Sequence, residues 1–136
     1  QNESVICLDK IKIYLESYYV NKTNKLNDNK PNAECISINN SRIECHTSMN
    51  ICEGEMIRAF LFIPNYWEFK RKIVEHNYVY TPQKLKVIGK VQNKYIYSQT
   101  NIVFFNISIV TADPADDRVI TEFIEAQQRN VFLLKK

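Results

Sequence analysis

Glycine is almost missing from this chain, with only Gly54 and Gly89 among 136 residues. Phosphate cradles and dinucleotide fingerprints need several glycines at fixed spacing, so that backbone N–H groups can approach a phosphate. Both are excluded. Turns that require a positive φ fall instead to asparagine, which tolerates that conformation and occurs 15 times. Long apolar runs are missing too. The longest, Met56 to Ile63, is broken by Arg58 and stops at Pro64, well short of the roughly 18 residues a bilayer-spanning helix needs. No membrane insertion within the chain is expected.

Net charge is small and histidine is scarce. The 18 basic and 15 acidic residues give a net +3, and the basic ones are scattered apart from Lys70, Arg71 and Lys72 and the terminal Lys135 and Lys136. A nucleic-acid binder carries a denser basic stripe interleaved with aromatics, so no nucleic-acid partner is expected. There are two histidines, His46 and His76, no serine in a G-x-S-x-G elbow and no C-x-x-C pair, which leaves little material for a hydrolase or a structural zinc site. Asp113, Asp116 and Asp117 lack the glycine and distal glutamate of a calcium loop. Neither a catalytic residue, a metal site nor a cofactor is expected.

What the chain does hold is enough for one globular domain over residues 1–136. Hydrophobic residues make up 45% and aromatics 12%, which argues against disorder. Lys10 to Glu16 alternates apolar and polar residues, the period of a half-buried strand. Ile36 to Ile38 and Arg42 to Cys45 read as a hairpin around Asn39 and Asn40, and Met56 to Ile63 as a central strand. Tyr78 to Thr81, Leu85 to Val91, Lys94 to Tyr97 and Ile102 to Val110 are further β-prone runs, with a turn at Gln92 and Asn93. Asn21 to Asn32 is polar and reads as a long exposed loop. Tyr66, Phe69 and Ile73 fit one helical face, yet the same stretch also reads as an edge strand. Asp113 as cap, Pro114 in the first turn and a carboxylate at Asp116 predict a C-terminal helix. The expected fold is therefore mainly β, a sandwich such as the immunoglobulin type, closed by a C-terminal α-helix and containing disulfides.

Four cysteines, Cys7, Cys35, Cys45 and Cys52, form an even set, which reads as two disulfides in an oxidising compartment. A two-residue turn at Asn39 and Asn40 sets Cys35 opposite Glu44. A three-residue turn sets it opposite Cys45 and leaves Cys7 for Cys52. Asn2, Asn21, Asn39 and Asn106 each begin an N-x-S/T glycosylation sequon.

Aromatic residues are the remaining resource. Core packing accounts for Phe60, Phe62, Phe104 and Phe105, while Tyr66, Trp67, Tyr78, Tyr80, Tyr95 and Tyr97 are the candidates for contact with a partner, because Tyr and Trp bury large area at low entropic cost. The function these features imply is a non-enzymatic protein–protein interaction module of a secreted or cell-surface glycoprotein, with another extracellular protein as partner. Two alternatives stand beside it: a small secreted hydrolase or nuclease using His46 and His76, and a carrier for an apolar ligand.

Overall fold

Alternation along the strands builds a cylinder. In the computed structural model the described residues are 5–6, 11–19, 30–73, 84–97 and 99–134, with 5–6 and 131–134 given by their backbone. Among them seven strands and two helices follow one another as β1 (Val5–Ile6), β2 (Lys12–Ser17), β3 (Ala33–Ile38), β4 (Arg42–Thr47), β5 (Met56–Phe62), α1 (Tyr66–Ile73), β6 (Leu85–Tyr97), β7 (Ile102–Ala112) and α2 (Pro114–Leu134). The sheet runs β3-β2-β5-β6-β7-β4, and β4 pairs again with β3. All pairings are antiparallel, so six strands close into a barrel, with β1 lying along β3 beside β2.

Closure corrects the expected sandwich. A sandwich leaves edge strands, whereas here β3 and β4, the strands that would have been its edges, pair with each other from Ala33–Thr47 to Ile38–Ile43. Inward positions of every strand fill the interior: Ile13 and Leu15, Cys35 and Ile38, Ile43 and Cys45, Ala59 and Leu61, Val87 and Val91, Phe105 and Ile107 are all buried. A six-stranded barrel is narrow enough for side chains to fill it.

Bulges set the register in ways periodicity does not reveal. The hairpin turns at Asn40 and Ser41, where the Asn39 N–H donates to the Arg42 carbonyl at 2.9 Å. Asn39 Oδ1 in turn accepts from Ser41 N at 2.8 Å and Arg42 N at 2.8 Å. The register then shifts between Cys35 and Ser37. Cys35 ends up opposite Cys45, although the turn is neither of the two that the sequence left open. The expected turn at Gln92 and Asn93 is also a bulge: Asn93 takes a φ of 56° and β6 continues unbroken to Tyr97. Gly89 fits a close approach, since a Cβ there would stand 2.5 Å from Ile107 Cγ2 and 2.7 Å from the Ser108 carbonyl oxygen.

No disulfide joins Cys35, Cys45 or Cys52, the three cysteines among the described residues. This overturns the disulfide framework read from the cysteine count. The Cys35 thiol donates to the Ser37 carbonyl at 3.3 Å and Cys45 Sγ lies 3.8 Å from the Ile43 carbonyl, each directed along its own strand. Both are buried, and there a thiol packs as a small hydrophobe. A chain with this much enclosed core has no need of crosslinks. Cys7 lies outside the described residues.

The helices close one end of the barrel, where β5 and β7 finish and β6 begins. Asp113 caps α2, accepting from Ala115 N at 2.9 Å. The apolar face of α2, Val119, Ile120, Phe123 and Ile124, joins the barrel core in one cluster. The ambiguous segment is the helix α1, whose Phe69 ring meets Phe123 edge-on at 6.4 Å. Asn40 fastens the β3–β4 turn to α2 through Nδ2, which donates to Asp117 Oδ1 at 3.0 Å and to Thr121 Oγ1 at 3.1 Å.

Candidate functional site

At the end opposite the helices, β6 runs past β5 and forms, with β7, an arm that the end of β4 backs through Phe104 and Val103. The β5 ladder leaves β6 at Met56–Lys90, and Val91 makes the last backbone bonds to that side, with Gly54 and Glu55. Beyond it Tyr95, Ile96 and Tyr97 pair across the arm with Phe104, Val103 and Ile102. Period two places Tyr95, Tyr97 and Phe104 on the outer face and Ile96 on the other. Tyr95 lies parallel to Phe104 at 5.2 Å, with 10° between the rings. Tyr97 meets Phe104 edge-on at 6.3 Å, and His46 on β4 lies 5.9 Å from it. Both tyrosines remain 58% exposed.

The row continues around the barrel as charge. His46 Nε2 lies 3.5 Å from Glu34 Oε1, and Lys12 Nζ lies 3.2 Å from Glu34 Oε2. Each residue is the cross-strand neighbour of the next: Tyr95, Phe104, His46, Glu34, Lys12. An aromatic face bordered by an exposed ion pair has the composition of a protein contact, an apolar centre with a polar rim.

A second cluster, at the helix end, is sealed. Tyr66 donates its hydroxyl proton to Asp116 Oδ1 at 2.6 Å, and Lys70 Nζ bonds Tyr66 Oη at 2.7 Å and Asp116 Oδ1 at 2.8 Å. All three residues are buried. Burial and the bond to Asp116 push the Tyr66 phenol up to about 12. Burial pulls the Lys70 ammonium down, but its bonds to Asp116 and Tyr66 and the Asp116 charge outweigh that, and the net shift is upward. The cluster clamps α1 to α2, with every member engaged inside the protein. Asp116, expected to help start the helix, is this clamp.

Of the candidate contact residues, Tyr95 and Tyr97 come together on the arm. Tyr66 is buried in the clamp, Trp67 is half-buried on α1, and Tyr78 and Tyr80 lie outside the described residues. His46 sits on the arm's border, while His76 lies outside the described residues. Asn39 is buried and its side chain holds the turn, whereas a glycan must project into solvent. Asn106 is half-buried on the outer side of β7, between the inward Phe105 and Ile107, and Asn2 and Asn21 lie outside the described residues. Among the described residues no group of three or more metal-ligating side chains converges, and no helix is long and apolar enough to cross a membrane.

Sequence reasoning missed Phe104, Ile96 and the pair Tyr18 and Tyr19. The signal for Phe104 was present: Phe104 and Phe105 are adjacent on one strand and must face opposite sides. Phe60 and Phe62 are outward and half-buried for the same reason, leaving only Phe105 of the four in the interior.

The chain is similar in structure to the Bacillus subtilis inhibitor of motility (MotI/DgrA), with a TM-score of 0.60, 9% sequence identity and coverage of 95% of this chain and 52% of that one. This chain thus spans about half the length of that protein. At such low identity the likeness shows the fold alone. No protein-family model matches the sequence, and no curated protein is detectably similar to it.

Proposed function

We propose that this domain is a non-enzymatic protein–protein interaction module and that the outer face of the β6–β7 arm is its contact surface. The observation that carries the reading is the pair Tyr95 and Tyr97, each 58% exposed while braced against Phe104. A tyrosine held in place by its neighbours gives up little rotamer freedom on binding, and aromatic anchors of this kind dominate binding energy. The carrier alternative gains no support, because the barrel interior is taken up by the protein's own side chains. The extracellular location expected from disulfides and sequons now rests on the sequons at Asn2, Asn21 and Asn106, without the described cysteines or Asn39.

Photocrosslinking tests the contact. A benzoylphenylalanine at position 97, in cells that make the protein, is expected to give a discrete protein adduct that disappears when Tyr95→Ala is added. The same probe at Thr111, exposed at the other end of β7, gives none. Identical adducts at both positions, or none at 97, would refute the arm as the contact surface.

A further inference from the structure

Exposed apolar residues are concentrated at one end of this barrel. Tyr95, Ile96 and Tyr97 are 58%, 55% and 58% exposed, and Tyr18 and Tyr19 are 41% and 77% exposed. Tyr18 and Tyr19 follow the last residue of β2, where Tyr18 N donates to the carbonyl of Met56, the first residue of β5. They therefore share the end from which the arm rises, opposite α1 and α2. Val110 is the one other large hydrophobic among the described residues that is exposed to this degree.

The arm also has an open edge. β7 covers one side of Tyr95–Tyr97, and among the described residues no strand covers the other. Proteins usually blunt such edges with charge, proline or shortness, because an open edge templates pairing with another chain. Here the three residues are uncharged and apolar on both faces.

We infer that this edge pairs with the same edge of a second copy of the chain. The inference rests on the arm being the protein-contact surface proposed above, and names its occupant. Three features select a second copy. The sequence Tyr95-Ile96-Tyr97 reads the same in both directions, so antiparallel pairing about a two-fold axis at Ile96 sets Ile96 against Ile96 and Tyr95 against Tyr97 of the second copy. That is the self-complementarity an isologous interface requires. Identical chains bring identical charges together, and the paired triplet carries none; the charges beside it on this edge, Lys94 and the Glu53 carboxylate that accepts from Lys94 N at 3.3 Å, lie outside it. The area is also sufficient. At about 200 Å² for a whole tyrosine, the four tyrosines present roughly 470 Å² and Ile96 on the order of 100 Å² more. Covered completely in both copies, this surface amounts to about 1,100 Å², just above the ~1,000 Å² that specific association needs. The dimer continues the β7–β6 ladder across the axis, with the helix ends outermost.

Sedimentation equilibrium of the full chain, from about 1 μM to a few hundred μM to cover the weak affinity of a small interface, should show the mass rising from 16.1 kDa to twice that value. Ile96→Lys, at an exposed position, should stay monomeric with an unchanged circular dichroism spectrum. In a Cys52→Ser background, Ile96→Cys should oxidise to a covalent dimer, because the axis places the two residues together. A monomeric wild type throughout, a dimer indifferent to Ile96→Lys, or failure of Ile96→Cys to crosslink would each overturn the inference. A monomer that still gives an adduct from position 97 to a different protein would overturn self-pairing and leave the contact surface standing.

Discussion

Replacing Phe105 with alanine is expected to lower stability by about 3–5 kcal/mol, the range for truncating a buried phenylalanine. Phe105 is 1% exposed at the centre of β7, opposite Cys45 on β4. Its ring fills a closed cylinder whose wall is hydrogen-bonded all the way around, so the strands cannot fold inward to fill the void. A small domain has only about 5–15 kcal/mol in total, and the loss is a large share of it. Urea unfolding should show the midpoint falling while the slope stays unchanged. Phe104→Ala, one residue away but outward, should cost far less. If the two variants lost equal stability, the inward–outward assignment of β7 would be wrong.

Asp116→Ala is expected to cost roughly 3 kcal/mol, the lower end for breaking a buried ion pair, because the Lys70 side chain keeps 11% exposure. Removing the carboxylate strands the Lys70 ammonium and the Tyr66 hydroxyl between α1 and α2. Replacing both charges, Asp116→Leu with Lys70→Met, should restore much of the loss, since an apolar pair of similar volume pays no desolvation. The same cluster contributes to the alkaline limit. The folded Tyr66 phenol lies at about 12 against an ordinary 10.0, so the folded state favours the protonated form. That contribution is complete below about pH 10 and is lost as the pH rises toward 12. Lys70, also shifted upward, acts in the same direction above its ordinary 10.5. Melting temperatures should hold steady to about pH 9 and fall beyond it, and Tyr66→Phe should flatten the fall. A fall of equal steepness in the phenylalanine variant would remove Tyr66 as its cause.

Local structure was legible where one rule acts alone. The alternating run Lys10 to Glu16 contains a strand from Lys12 on, and Asp113-Pro114 begins a helix with the cap in place. Barrel closure was not legible, because it depends on β3 pairing with β4 on one edge and with β1 and β2 on the other, which no single strand's pattern records. The bulge at Asn93 has the composition of a turn, and its left-handed φ suits both. Cysteine number misled because four cysteines fit a disulfide framework as readily as they fit a core that includes two thiols. Lys70 stands in a basic triplet that reads as solvated, yet its i,i+4 spacing from Tyr66 was the one sign that the two share a helix face. Tyr95 and Tyr97 were the part of the site the sequence exposed. Their braces, Phe104 and His46, come from other strands and needed the register.

The most direct measurement is the double replacement Tyr95→Ala/Tyr97→Ala, assayed for both folding and capture of whatever protein crosslinks to position 97. Exposed positions on an arm contribute little to a core, so the melting temperature should stay within a few degrees of wild type. Loss of two aromatic anchors should weaken capture by at least about tenfold. Capture that survives at full strength in a folded double variant would contradict the arm as the contact surface.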